Sequence, residues 1–287
     1  MRNNIQRSEK IDMYKIFFLL IIIVITLPGY CQNNAEHLLL DQGDSKCHLQ
    51  DYSGAILSYS KAIEINPKYV DSYIKRGFVK FVYLKDYTGA ISDFTKAISI
   101  NPFCIEAYNY RGVVKSEVKD DQGAIEDFTK AIELDNNANN SSEYYFNRAT
   151  SKTRLQDYLG AILDYNIIIE NNPKWTECYI SRGNNKRELK DYRGAISDYN
   201  KAIVIEPKNA SAYFYRGYAK YYLNDFKGAI IDYTISIKFE PKNAATYYNR
   251  GLAKFKLKQK NNGCIDMSKA GELGYEKAYE AIREYCQ

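Results

Sequence analysis

The stretch DYRGAISDYNKAI at residues 191–203 is written almost identically at residues 86–98 as DYTGAISDFTKAI. Both copies keep a glycine, two small alanines, paired aspartates, an aromatic position and two isoleucines. They differ mainly at positions suited to solvent. Within the first quoted copy, Ala195, Ile196, Tyr199, Ala202 and Ile203 fall on one face of a helix, which predicts an amphipathic α-helix. Asp191 stands where a helix N-cap is wanted, and Asp51, Asp86, Asp157 and Asp225 hold the same place in other copies.

The pattern extends over most of the chain. Gly-Ala-Ile begins at 54, 89, 123, 160, 194 and 228, and Gly263-Cys264-Ile265 stands in the next slot, at spacings of 34 to 37 residues. Arg-Gly precedes it at 76, 111, 182, 216 and 250, with Arg148-Ala149 and Gln42-Gly43 in the two remaining places. Prolines 67, 102, 173, 207 and 241 close the repeats, because proline cannot continue a helix and restricts the residue before it. Each repeat therefore reads as helix, turn, helix and stop. Glycine in the first helix costs about 1 kcal/mol relative to alanine, so its recurrence predicts close approach to an alanine of the second helix.

A period of about 34 residues with this arrangement of tyrosine, glycine, alanine and proline resembles the tetratricopeptide repeat (TPR) family. The resemblance covers seven repeats, at 36–69, 70–104, 105–141, 142–175, 176–209, 210–243 and 244–274, within a solenoid at 32–274. Residues 275–287 read as a C-terminal capping helix over its apolar end. The expected fold is all-α, a right-handed α-solenoid of tandem helix-turn-helix repeats. DNNANNSS at 135–142 lengthens the third repeat, and Asn136 stands in place of its proline, which predicts a loose turn.

The first 31 residues read differently. IFFLLIIIVITL at 16–27 is too short to span a bilayer and suits the apolar region of a signal peptide, with Lys15 before it and Gly29 and Cys31 placed for cleavage ahead of Gln32. Either Met1 or Met13 serves as the start. The expectation is an exported protein, periplasmic or extracellular, with membrane contact only if this segment is retained or lipidated. Cleavage would leave a net charge of +3. No dense basic run is present, so nucleic-acid binding is not expected.

His37 and His48 are the only histidines, too few for a zinc site or a Ser-His or Cys-His centre. No phosphate loop or dinucleotide motif follows a strand. No enzyme activity, metal or cofactor is expected. The recurring Arg76, Arg111, Arg148, Arg182, Arg216 and Arg250, and Asp93, Asp127, Asp164, Asp198 and Asp232, read either as solvated charges or as a ladder of ion pairs, within a repeat or between neighbours. Cys264 and Cys286 would meet in a disulfide if their helices are antiparallel neighbours; otherwise they are two separate small residues.

The resemblance also implies function. TPR proteins generally hold peptides or proteins on a concave face lined by the first helices. The positions that this implies are Ile74, Phe78, Phe81 and Val82 in the second repeat, and Phe214, Tyr218, Tyr221, Tyr222, Tyr248, Leu252 and Phe255 in the last two. Arg154, Asn184 and Arg187 form a polar middle. Some family members clamp chaperone tails with basic and asparagine side chains. The matching positions here are Leu40, Asp44, Ile74, Phe78, Asn109 and Val113, so that clamp is absent. The expected function is a non-enzymatic scaffold for a protein or peptide partner; the alternatives are a structural part of an envelope assembly or an enzyme with an unrecognised site.

Overall fold

A computed structural model describes residues 35–135 and 142–286. The signal-peptide reading of residues 1–31, the choice of start and the loose turn around Asn136 lie outside the described residues. Fifteen helices and no strand occur among the described residues, in tandem pairs. The chain divides into two compact units, one ending at Leu134 and the other beginning at Asp135. The first unit holds α1 (35–48), α2 (Tyr52–Ile65), α3 (Val70–Val82), α4 (Tyr87–Ile100), α5 (Ile105–Glu117) and α6 (Asp121–Leu134). The second holds α7 (Ser142–Arg154), α8 (Tyr158–Asn171), α9 (Thr176–Glu188), α10 (Tyr192–Ile205), α11 (Ala210–Tyr222), α12 (Phe226–Phe239), α13 (Ala244–Lys256), α14 (Lys260–Glu272) and α15 (Lys277–Tyr285). Among these helices none is long and apolar enough to cross a membrane.

Odd-numbered helices up to α13 are the first of each pair and even-numbered ones the second. First helices of successive pairs touch within each unit, as α3 does α5 and α11 does both α9 and α13. The second helices from α2 to α12 start with an aspartate cap, whereas α14 has Gln259 there; in α10 the Asp191 carboxylate accepts from the Gly194 N–H at 2.9 Å. A Cβ on Gly194 would collide with that carboxylate, which explains the glycine of Gly-Ala-Ile. The glycines of the first helices have another cause. A Cβ on Gly183 would lie 2.7 Å from the Tyr199 ring, and one on Gly217 would lie 2.9 Å from Tyr233. In α1, α3, α5, α9 and α11 an aromatic ring of the second helix, rather than the expected alanine, covers the glycine, and over Gly251 of α13 it is Met267. Those rings, Tyr59, Phe94, Phe128, Tyr199 and Tyr233, are buried together with the small alanines beside them, as is Tyr165, which packs with Ala149.

The arginines and aspartates form ion pairs within the second to seventh helix pairs, the first having Gln42 and Ser58 in their places. Arg76 reaches Asp93, Arg111 reaches Asp127, Arg148 reaches Asp164, Arg182 reaches Asp198, Arg216 reaches Asp232 and Arg250 reaches Asp266, all at 2.6–2.8 Å. A lysine one turn along each first helix adds a second cation: Lys80, Lys115, Lys152, Lys186, Lys220 and Lys254. The same arginines lie over tyrosines three residues earlier, with Arg182 5.6 Å from the Tyr179 centroid. This recurrent packing accounts for six of the 28 tyrosines.

The last pair is out of step with its sequence motif. Asp266 pairs with Arg250, as Asp232 does with Arg216, so Gly263 occupies the place of Ala229 and Cys264 the place of Ile230. Gly263 is buried under the Phe255 ring, which fills the space an alanine methyl would need. Cys264 is thereby turned toward α15, where it is bonded to Cys286 with a Cα–Cα distance of 5.8 Å. Helix α15 packs Ala278 and Ala281 on Met267 and Ala270.

Candidate functional site

In the first unit, α1, α3 and α5 enclose a cleft of about 560 Å³. Its walls are Ile74, Phe78 and Val79 of α3, Tyr83 just beyond it, and Tyr110 of α5, with Tyr59 of α2 at the base. Phe78 meets Tyr110 edge to face at 5.5 Å, and Tyr83 stacks on Tyr52 at 4.0 Å. Asp44 is committed to the walls: it accepts from the Tyr59 hydroxyl at 2.8 Å and from Lys75 Nζ at 2.8 Å. Asp71 and Glu106, both exposed, complete the lining. Cys47 is within 3.6 Å of the Tyr59 hydroxyl.

Sequence reasoning therefore located two walls of this cleft, Ile74 and Phe78. Phe81 packs instead on the α3–α4 core and against Tyr87, and Val82 is half-buried without lining the cleft. Lys75, Tyr83 and Tyr110 escaped the sequence reading because they lie off its expected face positions, Tyr83 just past the end of α3. The signal for Tyr110 was its spacing from Phe78, which brings rings of successive first helices together.

The second unit carries a tyrosine-rich face on α9, α11 and the start of α10. The Arg187 guanidinium lies 5.2 Å from the centroids of both Tyr215 and Tyr218 and pairs with Glu188 at 2.6 Å. Tyr218 donates to the Tyr222 hydroxyl at 3.2 Å, and Tyr222 stacks on Tyr192. Burial, with that hydroxyl contact next, pushes the Tyr218 phenol up to about 12. Asn184 accepts from the Tyr199 hydroxyl at 2.8 Å, so its amide oxygen is engaged inside the fold. Arg154 is exposed.

Five other positions serve mainly as wall. Phe214 and Tyr221 pack on the cluster of Ala229, Tyr233 and Ala253, while Tyr248, Leu252 and Phe255 pack on the Met267 cluster. Tyr248 also meets Tyr275, and Phe255 stacks on Tyr285, so both are partly covered by the C-terminal segment. Within the expected set of the second unit, Tyr218, Tyr222 and Arg187 make the aromatic face, with Tyr192 added by the structure. Among the described residues no three His, Cys, Asp or Glu side chains converge as metal ligands.

Residues 43–81 and 183–223 match a family model described as TPR repeat, and residues 70–104 match one described as tetratricopeptide repeat. No curated protein matches the chain. Among solved structures it is similar to the C-terminal part of a TPR repeat-containing protein from Cytophaga hutchinsonii, at 17% identity and a TM-score of 0.70, over 85% of this chain and 99% of that one. A TPR protein from Parabacteroides merdae is similar at 19% identity and a TM-score of 0.62, over 88% and 100%. YrrB, described as a TPR protein with an unusual peptide-binding site, is similar at 19% identity and a TM-score of 0.58, over 66% and 95%. TPR repeats are thus present, and the fold is that of TPR solenoids.

Proposed function

We propose that this chain is an exported, non-enzymatic scaffold that holds an extended segment of a protein partner against its first helices. The observation that carries the reading is the aromatic-walled cleft bounded by three successive first helices. A cleft of this size with mixed apolar and polar walls is the usual form of a binding site. The peptide-binding site ascribed to YrrB, which shares the fold, supports the same reading. Export is supported by the apolar run at 16–27 and by the Cys264–Cys286 disulfide, since disulfides persist in oxidising compartments.

Site-specific photocrosslinking in intact cells tests it. A p-benzoylphenylalanine replacing His48 or Tyr222, on the first-helix side, should trap a partner. Replacement of the exposed Leu57 or Val204 on second helices should trap none. Adducts only from the second-helix positions would overturn the proposal, as would a full absence of adducts.

A further inference from the structure

The cleft between α1, α3 and α5 has a charge that selects its occupant. Its lining carries three carboxylates, Asp44, Asp71 and Glu106, against one cation, Lys75. Lys75 is held by Asp44, whose other oxygen is taken by Tyr59. With Lys75 paired to Asp44, the exposed Asp71 and Glu106 have no further cation in the lining. The same lining carries the rings of Phe78 and Tyr110, with Tyr83 at the far end of α3 from Asp71.

We propose that this cleft receives an arginine side chain of the bound peptide segment, its stem against the rings and its guanidinium between Asp71 and Glu106. The inference rests on the scaffold reading and names the chemistry of the partner there. A guanidinium is weakly hydrated, forks onto carboxylates and stacks on aromatic faces, so it suits acids backed by rings better than an ammonium does. The chain itself shows this packing: Arg187 lies on Tyr215 and Tyr218, and the paired arginines lie 5.3–5.7 Å from tyrosine centroids. The available volume exceeds that of one side chain, leaving room for the flanking peptide. An acidic side chain there would enter a lining that already carries three carboxylates against one cation.

The test uses the full chain and three fluorescent nine-residue peptides, identical except for a central arginine, citrulline or glutamate flanked by leucines. Anisotropy should show the arginine peptide binding at least tenfold more tightly than its citrulline counterpart, and the glutamate peptide weakest. In the double variant Asp71→Asn, Glu106→Gln the arginine preference should vanish while the citrulline affinity stays within twofold. Both residues are exposed, and circular dichroism would confirm that the variant is folded. Equal affinity for arginine and citrulline, a preference that survives the double variant, or no binding of any peptide would each overturn the arginine assignment. Equal affinities together with photocrosslinking at position 48 would leave the scaffold reading standing; loss of crosslinking at both 48 and 222 would remove that reading too.

Discussion

Arg182 grips Asp198 with two parallel hydrogen bonds, Nε to Oδ2 at 3.0 Å and Nη2 to Oδ1 at 2.6 Å, while its Nη1 donates to Asn166 of the preceding pair at 2.7 Å. One side chain thus ties two helices of a pair and reaches back to a third. Lys186 completes the site at 2.8 Å, and the Asp198 side chain is only 3% exposed. Removing the buried anion leaves two cations facing each other in a partly dry site, for which losses of about 3–5 kcal/mol are typical. Asp198→Ala should lower stability by about 3 kcal/mol in urea unfolding. Lys130→Ala, which breaks the exposed pair with Glu133, should change it by less than about 1 kcal/mol. A double cycle of Arg182→Ala and Asp198→Ala should show coupling; additive effects would mean that the pair does not fix the helices.

The residue before the N-cap of each second helix adopts a left-handed conformation without being glycine. Lys190 has φ of 61°, and Gln50, Lys85, Lys119, Gln156, Asn224 and Lys258 share the region. The backbone bonds that end α9, from Lys190 N–H to Arg187 O and from Asp191 N–H to Lys186 O, require it. Lys190→Gly should therefore stabilise the protein by about 0.5–1 kcal/mol, despite the greater freedom of glycine in the unfolded chain. The same change at exposed Ser197, inside α10, should destabilise by a few tenths of a kcal/mol up to about 1. Equal signs at the two positions in thermal melts would contradict the conformational account.

Helix pairs and caps were legible in the sequence because each is a local rule repeated many times: Asp191 before Gly194, Ala195 and Ala202 on one face, a proline past the end. The partnership of Arg182 with Asp198 was legible as a choice between two geometries. Lys186 was not, since lysine on a helix usually reads as solvated surface. At the end of the chain a tripeptide misled: Gly263-Cys264-Ile265 imitates the motif, but burial of Asp266 sets the register one residue away. The face residues were the least legible. Whether Tyr221 or Tyr222 points away from the core depends on how tightly successive first helices pack, which no single repeat encodes.

Tyr199 and Tyr233 hold equivalent places, yet their hydroxyls differ. Tyr199 donates to Asn184, whereas Tyr233 has no partner for its buried hydroxyl among the described residues. The place of Asn184 in the repeat is held there by Tyr218, so no amide oxygen stands at that position. Tyr199→Phe should cost about 1 kcal/mol, and Tyr233→Phe should be neutral or stabilising, because a lost bond and a removed orphan group have opposite signs. Chemical denaturation of the two variants decides it, with equal destabilisation as the contrary result.

Burial raises the phenol pKa of Tyr165, Tyr199, Tyr218 and Tyr233 above the ordinary value near 10. Between pH 10 and about 12 the folded chain then holds protons that the unfolded chain has released, so stability must fall as pH rises. Their contribution is fully present below pH 10. Melting temperature should decline through this window, and absorbance at 295 nm should show a group of tyrosines ionising only as the helix signal disappears. Simple titration of all tyrosines near pH 10 with helicity intact would refute the assignment.

Cys264 and Cys286 close a loop with a sequence separation of 22, and the bond holds α15 over Met267 and Ala270. Helix α15 has only nine residues, too few to be stable alone, so its folding depends on this docking. The constraint on the unfolded chain amounts to about 3 kcal/mol in the loop-entropy view. Part of that will appear locally, because α15 contacts α14 at the end of the stack and can detach before the rest unfolds. Replacing both cysteines by serine should therefore speed amide exchange across 277–285 at least tenfold and lower the melting temperature of the second unit. Exchange around Gly183 and Tyr199, at the centre of that unit, should change little under native conditions. Uniform acceleration through α9 and α10 would show instead that the bond stabilises the whole unit rather than its last helix.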